Sequence, residues 1–385
     1  MLTFFTHVGR MRRLETLDGL RGMLAVYVLL GHMAPFAVLP DRIQDAVSHG
    51  GAAVDLFFVL SGLVITQSLI RAGGETLPFL VARAARIFPV FLAVFAVAVI
   101  VQPWSCGFEH MPWISEANAA RTICAEAWPA AWLAEIVAHL TMTHGLFPAA
   151  LLPNVWVSFL GAAWSLSTEW QFYLLALFAA RRSRQLCWIL LGLAAAGVAW
   201  HLTVAEPWQF SRAFLPNKAH FFALGVASVP VVRRERGALR RYAAVLSACT
   251  VICFANGTFA KMLPPLVWTL CLMVQMRPDT TGLRLAGLLL RSRTARYLGA
   301  ISYCLYLVNE PIQKMVGSAL SQLAGGDSVV FTTLWIPLAL GLPVLVSTWL
   351  HVYLEAPVLR WGRVAAARMA SQRTPASVQA GGGGL

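Results

Sequence analysis

The sequence predicts an all-α, polytopic integral membrane protein with about ten transmembrane helices. Hydrophobic residues make up 58% of the 385-residue chain and charged residues only 12%, which is too apolar for a soluble domain of this size. The chain also repeats apolar runs of about 17 to 24 residues, the length that a helix needs to cross a bilayer. Basic residues collect in alternate loops between these runs, as they do in membrane proteins.

Ten apolar runs are the candidates for spanning helices. They lie at about residues 22–40, 52–71, 84–102, 157–180, 185–203, 214–232, 241–258, 261–277, 299–320 and 329–354. A weaker eleventh stretch covers residues 133–152. It holds Glu135, His139 and His144 and is bracketed by prolines, which favours an amphipathic or re-entrant segment over a span.

The distribution of basic residues predicts the orientation of the chain. With ten spans and a cytoplasmic N-terminus, 24 of the 30 Lys and Arg residues fall on the cytoplasmic side. An eleventh span would invert every later loop and remove this asymmetry. We therefore expect both termini in the cytoplasm, with a flank at residues 1–13, a membrane domain at 14–363 and a partly disordered tail at 364–385.

The net charge of +13 resembles that of a nucleic-acid-binding protein, but the charges lie in short loops beside apolar runs. We interpret them as topogenic residues that contact anionic lipid headgroups, and we expect the bilayer, not nucleic acid, as partner. No metal site is expected. Five of the seven cysteines lie in or beside apolar runs. Cys106 and Cys124 lie in the long loop 102–155 and could pair if that loop faces an oxidising compartment; the spacing leaves this open.

The first apolar run contains the most informative pair of residues. It reads LETLDGLRGMLAVYVLLGH, with Arg21 at its N-terminal end and His32 inside it. Eleven helical residues rise about 16 Å and make about three turns, so both side chains share one face. This places Arg21 at an interface and His32 near the membrane midplane. An ionisable group at that depth is a functional candidate by default.

Two acidic residues lie inside other apolar runs. Glu169 has nearly the same estimated depth as His32, so the two could meet as a general base and its orienting partner. A buried ion pair that only fixes packing is the alternative. Asp55 lies near the outer end of the second run and is either an interfacial aspartate or a polar member of a cavity.

Arg83 and Arg86 stand three residues apart at the start of the third run, on one helix face. Arginines at this position commonly anchor a helix at the interface by snorkelling. Two guanidinium groups on one face can also clamp a phosphate group by bidentate hydrogen bonds.

Taken together, several segments resemble the membrane-bound acyltransferase-3 family. The matching stretches are LDGLRGMLAVYVLLGH, VDLFFVLSGLVI, RAARIFPVF, WSLSTEWQFYLL, YLGAISYCLYLVNEPI and YLEAPVLRWGR. They occur in the order that the family shows and span about residues 14–363. Each piece alone is a weak signal, whereas the ordered set is a specific one.

The resemblance implies a ten-helix domain of the bacterial inner membrane. Such a domain takes an acyl group, often acetyl, from cytoplasmic coenzyme A and places it on a hydroxyl of a glycan or another acceptor. By the resemblance, His32 is the essential histidine and Arg21 its motif partner. Arg83 and Arg86 match a cytoplasmic basic motif that is suited to the phosphates of coenzyme A.

The acidic positions and the departures also follow from the resemblance. Asp55 and Glu169 match acidic positions in the second and fourth motifs. The family often has two acidic residues where this chain has Glu169 and Trp170. In YLVNEP, Asn309 and Glu310 replace the more usual aromatic residue and histidine, which affects the expected acceptor side.

The expected reaction is direct acyl transfer. His32 removes the proton from an acceptor hydroxyl as its oxygen attacks the thioester of acyl-coenzyme A, and Glu169 or Asp55 orients the imidazole. The acceptor is a cell-surface polysaccharide, a lipopolysaccharide or another glycan. A diffusible acceptor such as a macrolide is the alternative, and a proton-coupled transporter of a glycan or acylated substrate is the rival from another class. The sequence also leaves open a homo-oligomer and an acyl-enzyme route.

Overall fold

The computed structural model describes residues 15–73, 75–105, 107–116, 118, 121, 128–178, 183–255, 259–277 and 280–372. Its helices are α1 (Glu15–Met33), α2 (Asp41–Val47), α3 (Gly50–Arg71), α4 (Thr76–Val101), α5 (Trp132–Leu140), α6 (Trp164–Phe178), α7 (Ser183–Thr203), α8 (Ala219–Val232), α9 (Ala238–Ala255), α10 (Leu263–Met276), α11 (Arg284–Leu290), α12 (Arg293–Ala324), α13 (Ser328–Leu350) and α14 (Ala356–Gln372). These residues form no strand, so the prediction of an all-α fold is confirmed.

Each of the ten predicted runs contains a helix. Within the described ranges, six helical stretches are long and apolar enough to cross a membrane: Glu15–Phe36, Asp41–Arg71, Thr76–Trp104, Arg184–Thr203, Ala238–Ala255 and Ser328–Ala370. Two further apolar helices, α8 and α10, are shorter than these six. The long apolar helices indicate an integral membrane protein.

Helices α1 and α12 approach each other closely where glycines line their contact. A Cβ on Gly22 would lie 2.5 Å from the backbone nitrogen of Gly299, and a Cβ on Gly299 would lie 2.1 Å from the carbonyl oxygen of Asp18. Ten residues further along both helices, His32 contacts Asn309. The two helices therefore run parallel, and their close approach holds the histidine against α12.

Helices α3 and α8 form a second glycine-mediated contact. A Cβ on Gly225 would lie 2.0 Å from the carbonyl oxygen of Val59 and 2.9 Å from the Cα of Gly62. Asp55 and Lys218, each seven residues before one of these glycines, form an ion pair. This constant offset shows that α3 and α8 also run parallel.

Helix α12 packs antiparallel to α13. The hydroxyl of Tyr297 lies 2.5 Å from that of Thr348, and the amide of Gln313 donates to the carbonyl oxygen of Ala339 at 3.1 Å. The second bond lies further along α12 but earlier along α13. The amide of Gln313 also donates to the carbonyl oxygen of Leu29 in α1 at 3.3 Å, so this polar side chain has a partner in two neighbouring helices, as the membrane interior requires.

The C-terminal helix continues past the predicted boundary of the membrane domain at residue 363. A π-helical turn at His351–Glu355 joins α13 to α14, and α14 reaches Gln372. A Cβ on Gly362 would lie 2.5 Å from that of Ala85 in α4, so α14 and α4 pack closely. The flank 1–13 and the end of the tail lie outside the described residues.

The segment between α4 and α6 contains short helical pieces. Helix α5 has nine residues, too few to span a bilayer, and a 3-10 turn follows at His144–Leu146. The rings of His139 and His144 stack at 4.2 Å, and both side chains are buried. Cys106 and Cys124, whose pairing the sequence leaves open, lie outside the described residues.

Candidate active site

Four of the six predicted site residues line one cavity. Arg21 of α1, Arg83 and Arg86 of α4 and Glu169 of α6 surround a space of about 130 Å³. The helices that supply them are far apart in sequence. The cavity is therefore a product of the tertiary packing, and it is rich in positive charge.

The charge of Arg86 is balanced by a buried carboxylate. Its guanidinium forms an ion pair with Glu355, whose side chain is 1% exposed, and lies 5.0 Å from the ring centre of Tyr303. Glu355 also accepts hydrogen bonds from Nδ1 of His351 at 2.7 Å and from Sγ of Cys304 at 3.3 Å. These contacts fix Arg86 firmly and occupy part of its hydrogen-bonding capacity.

The other two arginines keep more donors available. Nη2 of Arg83 donates to Oγ of Ser68 at 3.0 Å, while its buried Nε has no partner among the described residues. No hydrogen bond or ion pair joins the guanidinium of Arg21 to another described residue. Unsatisfied guanidinium donors in a cavity are suited to an anion such as phosphate.

Glu169 has other partners than the predicted one. Its Oε1 accepts a hydrogen bond from Oγ of Ser61 at 2.8 Å and a short one from the hydroxyl of Tyr173. Ser61 and Tyr173 both line the cavity. The expected pairing of Glu169 with His32 does not occur in the structure, because the carboxylate faces the arginines and these two hydroxyls.

His32 is held by Asn309 of α12. Its Nδ1 lies 2.6 Å from the amide oxygen of Asn309, which is fully buried. The amide nitrogen of Asn309 donates to the carbonyl oxygens of Leu305 at 2.9 Å and Tyr306 at 2.7 Å. Both donor hydrogens of the amide are therefore used within α12, and its oxygen must face the imidazole.

This arrangement determines the tautomer of His32. An amide oxygen only accepts, so Nδ1 of the imidazole must carry the hydrogen that it donates. In the neutral ring, Nε2 is then unprotonated and able to accept a proton. The half-buried ring is thus oriented as a general base by a neutral partner.

Two hydrogen-bonded hydroxyl groups form part of the lining of the arginine cavity. Oγ of Ser165 donates to the hydroxyl of Tyr306 at 2.9 Å, and both residues line the cavity. Tyr306 precedes Asn309 by three residues, slightly less than one turn of α12, or about 5 Å of rise. One residue of the cavity lining thus lies about one helical turn from the partner of the histidine.

A second carboxylate, Glu310, follows Asn309 directly in α12. Glu310 forms an ion pair with Lys314 at 2.9 Å and accepts a hydrogen bond from the backbone nitrogen of Ala162 at 2.9 Å. It also lies within electrostatic range of His32. Glu310 therefore ties α12 to the turn before α6 and contributes negative charge near the imidazole.

Asp55 lies in a different cavity. Its Oδ1 forms an ion pair with Nζ of Lys218 at 2.7 Å, and its side chain is 7% exposed. The surrounding space of about 210 Å³ also contains Arg212 and Lys261. The sequence left open whether Asp55 is interfacial or belongs to a polar cavity, and the structure shows it in a polar cavity. Its partner there is Lys218, not the imidazole of His32.

Sequence reasoning noted Asn309 only as a departure from a motif. A signal was nevertheless present, because Ser302, Tyr306, Asn309 and Gln313 recur every three or four residues inside an apolar run. This spacing puts them on one face of α12. A polar face on a membrane helix must have protein partners, and here it faces α1, α6 and α13.

The described residues contain no group of three or more His, Cys, Asp or Glu side chains that could hold a metal ion. Fold and site together define a helical membrane protein with a basic cavity and, about one helical turn from its lining along α12, the partner of a histidine with a fixed tautomer. Such a site suits proton transfer beside a bound anionic substrate.

The family follows from comparison with known proteins. The model of the acyltransferase domain, acyltransferase-3, matches residues 14–352, and the chain belongs to this family. The chain is also similar to acyltransferase MdmB of Streptomyces mycarofaciens, with 25% identity over 388 residues that cover 91% of this chain and 93% of the relative. No solved structure matches the chain. The resemblance seen in the ordered motifs is confirmed, and acyl transfer is the activity that it supports.

Proposed function

We propose that the protein transfers an acyl group from acyl-coenzyme A to a hydroxyl group, with His32 as general base. The hydrogen bond from His32 to Asn309 is the observation that supports this most directly, because it leaves Nε2 free to accept a proton. Nε2 takes the proton of the acceptor hydroxyl while that oxygen attacks the thioester carbonyl. The C–S bond then breaks, and the imidazolium returns its proton to the departing thiolate of coenzyme A.

The arginine cavity is the proposed site for the donor. Arg21 and Arg83 have guanidinium donors without partners among the described residues and would contact the phosphates of coenzyme A. Arg86 adds positive charge from a position that Glu355 fixes. Glu169 would hold Tyr173 and Ser61 in the cavity wall and limit the repulsion among the arginines, without taking part in proton transfer.

In this proposal the acyl group reaches His32 from the part of the cavity that Ser165 and Tyr306 line. Tyr306 lies about one helical turn before Asn309, the partner of the imidazole. We propose acetyl as the acyl group and a cell-surface glycan as the acceptor, with a diffusible hydroxyl compound such as a macrolide as the alternative.

Ten spans with both termini in the cytoplasm are the proposed topology, in a bacterial inner membrane. The first and ninth predicted spans (α1, α12) run parallel, as do the second and sixth (α3, α8), while the ninth and tenth (α12, α13) run antiparallel. Ten alternating spans require these directions. In this topology Arg21, Arg83 and Arg86 lie near the cytoplasm, where coenzyme A thioesters are found.

Membranes that contain the full-length protein test the proposal when they are supplied with acetyl-coenzyme A. Release of free coenzyme A should depend on the protein and on an acceptor, and mass spectrometry should find glycans or lipids heavier by one acetyl group. His110→Ala is a matched control, because that side chain is 63% exposed and lies away from the cavity. Uptake of a labelled substrate without any release of coenzyme A would instead indicate a transporter.

A further inference from the structure

The arginine cavity is lined by three tyrosine side chains, namely Tyr173, Tyr303 and Tyr306. The hydroxyl group of a tyrosine has one hydrogen to donate. Tyr173 donates it to the carboxylate of Glu169, and Tyr303 donates it to the carbonyl oxygen of Ile87 at 2.6 Å. The hydroxyl hydrogens of these two tyrosines are therefore already engaged within the protein.

The hydroxyl of Tyr306 differs, because it accepts a hydrogen bond. Oγ of Ser165 donates to it at 2.9 Å, and the hydroxyl hydrogen of Tyr306 has no acceptor among the described residues. Oγ of Ser165 also lies 3.4 Å from the carbonyl oxygen of Ala162, but the shorter contact to Tyr306 is the better hydrogen bond. A hydroxyl group that accepts a hydrogen bond donates its own hydrogen more strongly. Tyr306 thus supplies an unused donor in the lining of the cavity.

The position of Tyr306 along α12 is a second observation. Three residues earlier, the ring centre of Tyr303 lies 5.0 Å from the guanidinium of Arg86. Three residues later, Asn309 contacts His32 at 2.6 Å. Tyr306 therefore lies, along the helix, between the level of an arginine of the proposed donor site and the level of the proposed general base. In the proposed reaction, the thioester lies between these same two levels.

We propose that the hydroxyl of Tyr306 stabilises the oxyanion that forms when the acceptor oxygen attacks the thioester. This inference rests on the proposed acyl transfer and adds a catalytic residue to it. As the new C–O bond forms, the π electrons of the carbonyl group move to its oxygen, which accepts a hydrogen bond from Tyr306. These electrons return to the carbon as the C–S bond breaks, so Tyr306 keeps its proton throughout, and His32 carries the proton of the acceptor to the thiolate. Ser165 is a positioning residue, because it acts on the oxyanion only through Tyr306.

Initial rates of coenzyme A release test this proposal in membranes that contain the full-length protein, over a range of acetyl-coenzyme A concentrations. Tyr306→Phe removes the hydroxyl and keeps the ring, and it should lower kcat about 10²–10³-fold with little change in KM, the usual effect of losing one oxyanion donor. Tyr303→Phe is the matched comparison, because it removes a hydroxyl from the same helix and the same cavity whose hydrogen is bonded to Ile87. Its kcat should stay at least about tenfold above that of Tyr306→Phe. Tyr297→Phe, which changes an exposed tyrosine of α12 outside the cavity, should leave kcat and KM unchanged.

A double-mutant cycle separates the catalytic role from a structural one. Ser165→Ala should lower kcat about two- to tenfold, because Tyr306 loses the donor that orients its hydroxyl. In the Tyr306→Phe background the same substitution should have no further effect on kcat. A Ser165→Ala variant with the kcat of the wild type, or the same fractional loss in both backgrounds, would contradict the proposal. The cycle also supplies a test that does not depend on the folding of Tyr306→Phe, since Ser165→Ala is measured alone.

The remaining outcomes distinguish this inference from the proposed function. If His32→Ala is inactive while Tyr306→Phe has the kcat of Tyr297→Phe, acyl transfer stands and the oxyanion role of Tyr306 is overturned. A raised KM with unchanged kcat in Tyr306→Phe would also overturn it, because the hydroxyl would then contribute to binding alone. If the wild type releases no coenzyme A, or His32→Ala is as active as the wild type, the proposed reaction itself fails and this inference fails with it.

Discussion

The two cavities of this protein each contain ionisable side chains within apolar surroundings, but they hold them differently. In the arginine cavity, Glu355 fixes Arg86, and a neutral amide one turn beyond the cavity fixes His32. In the second cavity, Asp55 is paired directly with Lys218. The imidazole keeps a nitrogen that can accept a proton, whereas the carboxylate of Asp55 is already engaged by a cation.

This difference shows that depth in the membrane does not by itself identify a catalytic group. Asp55 and His32 both stood out as polar residues in apolar runs. Their neighbours decide what each can do. A buried ion pair offers no free proton acceptor, while a histidine with a neutral partner on Nδ1 has one on Nε2.

The largest expected effect comes from removal of the imidazole. His32→Ala should lower the release of coenzyme A about 10²–10⁴-fold, the usual contribution of a general base, without changing the amount of protein in the membrane. Thiol detection with acetyl-coenzyme A measures this, with His110→Ala as control. If a well-expressed His32→Ala variant turned over at the wild-type rate, another residue would have to be the general base.

Asp55→Asn should lower the stability of the folded protein and not the rate of acyl transfer. Removing one charge of a buried pair leaves Lys218 without its counterion, at a cost of about 3 kcal/mol. The melting temperature in detergent should fall, and the double variant Asp55→Asn/Lys218→Gln should recover most of it. If the double variant regains its melting temperature but turns over as slowly as His32→Ala, Asp55 belongs to the reaction and the contrast between the cavities fails.

Asn309→Ala should reduce kcat about 10–100-fold with little change in KM. The variant removes a hydrogen bond that fixes the tautomer, and a loss of about 1.5–3 kcal/mol corresponds to that range. Asn309→Asp retains an acceptor at the same place and should recover part of the rate. Asn309 is a positioning residue in this scheme, so a raised KM with unchanged kcat would argue for a contact with substrate instead.

Arg21→Gln should raise KM for acyl-coenzyme A about tenfold and leave kcat nearly unchanged, because it removes one charge-assisted contact to phosphate. Arg86→Gln is the informative comparison. It would leave Glu355 buried without its cation and should therefore lower the melting temperature as well. Initial rates over a range of acyl-coenzyme A concentrations separate the two effects. A kcat defect in Arg21→Gln would place that guanidinium closer to the reacting atoms.

These results show which parts of the site could be predicted from the sequence. Arg21, Arg83, Arg86 and Glu169 were identified one by one, and the structure brings them together in one cavity. The physical reason is general: charged groups on apolar helices must turn away from lipid, so they meet inside the protein.

The partners of these groups were not predicted. Counting residues gives the depth of a side chain along a helix, but it does not give the rotation of that helix about its axis. Glu169 and His32 have similar depths, yet α6 turns Glu169 towards Ser61 of α3, and α12 presents Asn309 to the imidazole. Lys218 was not singled out, although it lies inside the sixth predicted run, 214–232; in the structure it immediately precedes α8 and pairs with Asp55.

The stacked histidines His139 and His144 provide a further test of how the surroundings of a side chain determine its protonation. Their effect on the stability of the fold is expected only below neutral pH. Burial lowers the pKa of His144 from its ordinary 6.5 to about 4, although its Nε2 donates to the carbonyl oxygen of Ala163. The unfolded chain therefore binds a proton at a higher pH than the folded protein, and stability falls as the pH drops from about 6.5 towards 4. At about pH 5.5 the loss of folding stability should be about 1 kcal/mol.

His144→Gln keeps a donor for Ala163 but cannot be protonated, so its melting temperature should fall less between pH 7 and pH 5.5 than that of the wild type. Equal slopes in the two proteins would mean that other groups cause the acid sensitivity, and that burial alone does not keep this histidine neutral.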